Sequence, residues 1–354
     1  MDVGLTSEQL ALRDTVRAVL RAECPPDAAR QAGNDPERWR TLWKTFVDLG
    51  WTELARCGAT GEFGPVELAV VLEECGGALA PAPLLSSVGL AAGTLRAAGP
   101  AMDEVLAEIT SGVVATLAVH SPGTRLPGTS MTLRDGHLRG HAVAVPHAAR
   151  AELFVTLADA DDGGVVAAAV RAGAGVTVVT GECTDPAQPV ADVEIDATPV
   201  AVASVQSAEH ALAAPLTAVA ADLVGVASAA LQRSVEHAKT RRQFGSPIGA
   251  FQGVKHALAD NYVSVERARS LTYAAAMQLD KPDPWTPAAL AKAAAADAAS
   301  ACARTMVQVH GALGQTWEHD AHLYVRHAWQ GAALLGDSRA LYYEVGRRFA
   351  EGAK

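Results

Sequence analysis

Two arginines close a long apolar stretch in the string Thr240-Arg241-Arg242-Gln243-Phe244-Gly245-Ser246-Pro247-Ile248, and Phe251-Gln252-Gly253-Val254-Lys255-His256 follows. A guanidinium presents a planar fork of donors that fits the oxygens of a phosphate or pyrophosphate, and a neighbouring glycine lets backbone approach a ligand closely. The same arginines could instead satisfy the last carbonyls of a helix and its dipole. A second segment, Val307-Gln308-Val309-His310-Gly311-Ala312-Leu313-Gly314, offers an amide in Gln308 and a close-approach glycine in Gly311. It also reads as a helix end with a glycine cap. Glu73 and Glu74 are carboxylates that could serve as general bases, but adjacent acids in a helical run are expected on its solvated face.

These groups need elements to hold them. A helix predicted over about 212–239 stops at the Gly/Pro-punctuated turn, and another restarts at 251 and runs to 279. Further Ala-rich helices are expected over 287–310 and 320–350. Four long helices with short connections make an antiparallel bundle over 208–354, and alanine both favours the helix and permits close approach. Between 112 and 207 the texture changes to short β-type runs at 113–119, 138–145, 153–157, 164–170 and 176–179, separated by Asp, Gly and Pro. That spacing predicts a small barrel or sandwich. Residues 1–111 read as helices. Thr6-Ser7 caps the first, whose Leu10, Leu12, Val16 and Leu20 recur at helical spacing, and others are expected over 39–49 and 66–80.

A chain of 354 residues suits two or three domains and can bury a large core. Its formal net charge of −10 argues against a nucleic-acid surface, whose footprint is a basic patch. The five cysteines, Cys24, Cys57, Cys75, Cys183 and Cys302, show no C-x-x-C pair or metal spacing, so buried free thiols and no metal are expected. With no basic leader ahead of an apolar run and no uninterrupted apolar segment of bilayer length, the expectation is a soluble, cytoplasmic protein without a membrane span.

The turn R-x-x-F-G-x-x-I with its following Phe-Gln pair resembles the flavin-contacting turn of the acyl-CoA dehydrogenase family. Leu5-Thr6-Ser7-Glu8-Gln9, Leu49-Gly50-Trp51, the run from Val66 to Glu74 and the run from Ala78 to Leu84 are similar to that family's opening helices, and the segment around Gln308 to its Q-x-x-G-G-x-G. The resemblance covers nearly the full chain. It implies a mainly α fold with a central β-domain: an N-terminal helical domain (1–111), a middle β-domain (112–207) and a C-terminal four-helix bundle (208–354). It also implies the family's chemistry, in which a carboxylate takes the α-proton of an acyl-CoA thioester, FAD accepts a hydride from the β-carbon, and an electron-transfer flavoprotein is the acceptor. Arg241, Gln243, Phe244, Phe251, Gln252, Gln308 and Gly311 match positions that, in the family's dimers, reach across to the FAD of the neighbouring subunit.

The chain departs from that pattern where the reaction would be carried out. The family's R-D-A-x-x-x-x-x-Y-E-G segment falls on Arg326 to Gly336, which places Leu335 at the base position, and the family's other base site falls at about Pro215. Neither residue can accept a proton. Asp222, two helical turns beyond Pro215, and Asp337, two residues after Leu335, are relocated-base candidates or structural aspartates. In the β-domain, Ala144 stands where the family has a flavin-stacking tryptophan and Pro146 where it has a hydroxyl donor.

Retained trans contacts with absent cis ones resemble the smaller, base-lacking subunits of actinobacterial α2β2 dehydrogenases of steroid and cholesterol side chains. There a larger subunit supplies the base. Two other readings stay open: a self-sufficient homo-oligomeric dehydrogenase using Asp222 or Asp337, and a non-enzymatic acyl-CoA-binding or scaffold homologue.

Overall fold

The computed structural model describes residues 4–25, 27–32, 35, 37–57 and 63–352. Thr6 opens the first helix, α1 (Ser7–Glu23), with a reciprocal capping box: its hydroxyl accepts from the Gln9 N–H, and the Gln9 side chain accepts from the Thr6 N–H. After α2 (Ala28–Ala32) and α3 (Trp39–Asp48), α4 (Pro65–Gly77) starts with proline in its first turn, where a missing N–H costs nothing. A buried π-helical turn over Leu85–Ala91 leads into α5 (Ala92–Arg96), and α6 (Asp103–Thr110) ends the N-terminal helices.

Eight strands follow: β1 (Ala115–Ala118), β2 (Met131–Arg134), β3 (His137–Pro146), β4 (Leu153–Asp159), β5 (Val165–Arg171), β6 (Val176–Thr180), β7 (Val190–Ala197) and β8 (Ala201–Ser204). They form one mixed sheet in the order β6-β7-β3-β2-β4-β5-β8, with β1 parallel to β4 off that path. A register shift between Ala142 and Val145 bulges β3 against β7. Strands β2, β7 and β8 are absent from the sequence-level expectation, although Ala191, Val193 and Ile195 of β7 alternate with Asp192, Glu194 and Asp196 at the period of a half-buried strand, a signal that sequence reasoning missed.

The C-terminal helices are α7 (Ala208–Thr240), α8 (Gln252–Ala276), α9 (Trp285–His310), α10 (Ala321–Ala333) and α11 (Ser338–Gly352). The single helix expected over 320–350 is therefore two. Leu335 and Gly336 both take positive φ, 56° and 99°, which ends helical geometry, and the Lys292 ammonium on α9 binds the freed carbonyls of Ala332 and Gly336.

Helix α7 runs through the centre of the molecule. It is the one described helix long and apolar enough to cross a bilayer by length and composition, in contrast to the expectation of none, but 89% of that apolar window is buried inside the protein. Gly76 on α4 and Gly225 on α7 allow the two backbones to touch; a Cβ on Gly225 would overlap the Glu73 carbonyl. This crossing also corrects the reading of Glu73. It is buried, accepting from Arg269 (2.9 Å) and the Tyr273 hydroxyl (2.7 Å) of α8, while half-buried Glu74 pairs with Arg17 of α1. All five cysteines are free thiols; four are buried, and Cys183 is exposed, contrary to the expectation of burial.

Candidate functional site

Helix α7 ends at Arg241, and the chain reverses through a two-stranded hairpin, β9 (Arg242–Gln243) paired with β10 (Ser246–Pro247). Phe244 and Gly245 at its tip have φ of 50° and 80°, the pair of left-handed residues that matches the twist of a two-residue hairpin loop. Holding a phenylalanine there presents its ring outward. Phe244 is 93% exposed and meets Phe251 edge-on, with ring centroids 6.1 Å apart. Arg241, Gln243 and Gln252 are exposed on the same turn, and no carboxylate among the described residues pairs with Arg241.

One turn back along α7, His237 stacks on His310 at 4.1 Å, and His310 is the last residue of α9 before Gly311. That stacking joins the Arg241 turn to Gln308 and Gly311, both exposed; Gly311 has φ 61° and open space where a Cβ would stand. His319 lies 4.5 Å beyond His310, and burial together with the neighbouring imidazole holds both His237 and His319 below the ordinary histidine range. The structure thus gathers Arg241, Gln243, Phe244, Phe251, Gln252, Gln308 and Gly311 at one end of the bundle. The side-chain donors of Arg241, Gln243, Gln252 and Gln308 are exposed and unspent, while the Gly311 N–H already closes the end of α9.

The opposite condition holds around Leu335. Its side chain is 3% exposed, in the link between α10 and α11. The loop after β1 lies over that link: Leu126 reaches into contact distance of Gly336, and Arg125 donates twice to Asp337 Oδ2, at 3.1 and 2.7 Å. Asp337 Oδ1 accepts the Ala340 N–H and caps α11. Burial alone would raise this carboxyl, but the Ala340 N–H and the Arg125 charge outweigh it and hold its pKa below the usual range. Pro215 is buried within α7.

Asp222 is enclosed. It is 3% exposed, with Oδ2 2.8 Å from His327 Nε2, while Asp185 Oδ2 lies 2.7 Å from His327 Nδ1. Burial would push this imidazole down, yet the two carboxylates hold its pKa well above 6.5. Gln188 sits 3.4 Å from both Asp222 and His327, so the whole group pins the β6–β7 loop to α7 and α10. Sequence reasoning missed this pairing; the signal available was His327 standing where the resembled motif has aspartate.

In the β-domain, Ala144 lies in the bulge with φ 54°, its N–H on Asp192, and Pro146 has no N–H to give. Set against FAD, the Arg241–Gln308 face presents exposed side-chain donors, whereas Ala144 and Pro146 bring no side-chain donor and Pro146 no N–H.

Residues 206–348 match the family described as "Acyl-CoA dehydrogenase, C-terminal domain", and residues 6–113 match "Acyl-CoA dehydrogenase, N-terminal domain". The chain is 32% identical over 349 residues to acyl-CoA dehydrogenase IpdE2 of Mycolicibacterium smegmatis, covering 95% of this chain and 96% of that protein. Among solved structures it is similar to a chain of the ChsE4-ChsE5 complex from Mycobacterium tuberculosis, with TM-score 0.88, 29% identity and 99% of both chains covered. It is also similar to a chain of the Tcur3481-Tcur3483 steroid ACAD G363A variant, with TM-score 0.88, 27% identity and 98% of both covered. The helical, sheet and helical layers described above are those of this fold, and the chain belongs to the acyl-CoA dehydrogenase family, whose members are FAD-dependent oxidoreductases.

Proposed function

We propose that this chain is the non-catalytic partner of a larger acyl-CoA dehydrogenase subunit, completing that subunit's FAD site in trans within an α2β2 assembly. The observation that carries the reading is the asymmetry of the two ends: Arg241, Phe244, Gln308 and Gly311 are exposed, while Leu335 is buried and its neighbours Gly336 and Asp337 are covered by Leu126 and paired with Arg125. Arg241 would bind the cofactor's diphosphate, Phe244 and Phe251 would cover part of its ring system, and Gln308 with Gly311 would hold the adenosine end. The chemistry FAD supplies when bound is acceptance of a hydride from the acyl β-carbon. The α-proton requires a carboxylate, which the larger subunit provides. Similarity to chains of a named heterocomplex and of a steroid ACAD supports a partner subunit and an acyl-CoA thioester on a steroid side chain as the substrate class; an electron-transfer flavoprotein as acceptor and a cytoplasmic setting are the further parts of this reading.

A self-sufficient enzyme built on Asp222 is disfavoured by its enclosure against His327, and one built on Asp337 by its commitment to Arg125 and the α11 cap. A non-enzymatic scaffold is disfavoured by the free guanidinium of Arg241. Co-expression with a larger dehydrogenase subunit, then flavin quantification and native mass measurement, tests the proposal. The expected result is little FAD on the chain alone and a flavin-loaded α2β2 complex. Near-stoichiometric FAD on the isolated chain would overturn it.

A further inference from the structure

Where α2–α3, the β-domain loops and the start of α10 meet lies a cavity of about 630 Å³. Four arginines line it, Arg30, Arg40, Arg150 and Arg326, against walls that include Trp39, Trp317 and Leu323. In a chain of net charge −10 such a concentration of guanidinium needs a reason.

Two of the four are already satisfied. Arg30 donates to Asp320 Oδ1 at 2.9 Å and to the carbonyls of Glu318 and Trp317, and Arg40 pairs with Glu37. The other two form no ion pair among the described residues, although Glu37, which also lines the cavity, acts on the Arg150 charge from longer range. Arg150 lies 5.2 Å from the Trp39 ring centroid, and its Nη1 is buried without a hydrogen-bond partner. Burial lowers its pKa to about 10, a cost that nothing in the chain offsets in full. Arg326 lies 4.7 Å from the Trp317 centroid, and Trp317 in turn stacks on His322 at 4.5 Å.

Each unpaired guanidinium is therefore held by an indole, which fixes its plane while leaving its N–H edges free. The indole faces are engaged by Arg40, Arg150, Arg326 and His322, so an occupant meets guanidinium edges and apolar walls rather than an open aromatic surface. An unmet buried donor carries a desolvation cost, and planar guanidinium forks match tetrahedral phosphate oxygens. The volume lies in the range of small-molecule sites.

We propose that this three-domain cavity is a binding site for a phosphate monoester dianion, with Arg150 and Arg326 supplying two unpaired charges. Its test involves neither flavin nor partner, so its outcome and that of the proposed function are read from different measurements.

Isothermal titration of the full chain with phenyl phosphate at low ionic strength should give saturable 1:1 binding, weakened by added salt. Arg150→Gln and Arg326→Gln should each weaken it at least tenfold, Arg326→Lys should recover part of the loss, and the double glutamine variant should abolish it. Arg134→Gln, a surface change on β2, should leave it unaltered, and benzoate, a monoanion of similar shape, should bind at least tenfold more weakly. Absence of saturable binding by the unaltered chain, undiminished binding by the double variant, or equal binding of benzoate would each overturn the proposal. If circular dichroism shows that Arg150→Gln fails to fold, the unaltered chain and the half-buried Arg326 variants still decide the matter.

Discussion

A glutamate at position 335 would replace a leucine that is 3% exposed, next to a Gly336 that Leu126 covers and whose carbonyl Lys292 binds. Leu335→Glu is expected to yield no dehydrogenase activity and to destabilise the chain by about 3 kcal/mol, because an unpaired carboxylate is poorly tolerated in a buried site. Activity assay of the isolated variant chain supplied with FAD, and urea unfolding, check the two parts. At Asp337 the Asn variant removes half an ion pair but keeps a capping side chain, so turnover of the assembled complex should stay within a few-fold of the unaltered one. A thousand-fold loss with FAD still bound would make Asp337 catalytic. Asp222→Asn breaks a buried pair and should cost about 3 kcal/mol near pH 6, read from urea midpoints. His327 has a raised folded pKa, so its stabilising contribution is complete below the unfolded value near 6.5 and is lost as pH rises through the folded value. The gap between the two proteins should therefore narrow only above neutral pH, and the His327 ring should titrate nearer neutrality in the variant, observed by NMR.

Among the elements, the α4–α7 crossing sets how close the N-terminal helices lie to the bundle. Gly225→Ala should destabilise by about 3 kcal/mol, since the added methyl meets the backbone carbonyl of Glu73 rather than a side chain that could turn aside. Gly253→Ala, in the exposed first turn of α8 with open space around it, should be neutral or stabilising by up to about 1 kcal/mol. Thermal melts of the two variants compare them directly. Opposite outcomes at two helical glycines would confirm that backbone contact, not helix propensity, decides the first.

For the assembled molecule, the exposed turn after α7 is where flavin retention should be decided. Arg241→Ala is expected to weaken FAD retention in the complex by about tenfold or more, the loss of a charge-assisted contact, and Arg241→Lys to recover only part, since an ammonium keeps the charge without the planar fork. Flavin release followed by absorbance measures both. Unchanged flavin content in both variants would reduce Arg241 to a helix-terminal cation.

The succession of helices, strands and helices is legible in the amino-acid sequence, because hydrophobic period and Gly/Pro punctuation are local properties. The turn after α7 and the helix end at Gly311 are legible for the same reason, but the stack of His237 on His310 that sets them side by side is a tertiary contact. Partnerships between distant residues were decided only by tertiary structure. Glu73 looked solvated until α8 supplied Arg269 and Tyr273, and Asp222 looked free until α10 and the β6–β7 loop enclosed it with His327 and Asp185. The last predicted helix broke in two because Lys292, some forty residues away, binds the carbonyls that the turn at Leu335 and Gly336 releases. Local pattern carries no record of such contacts, because the free energy of a buried charge depends on what the fold brings within reach of it.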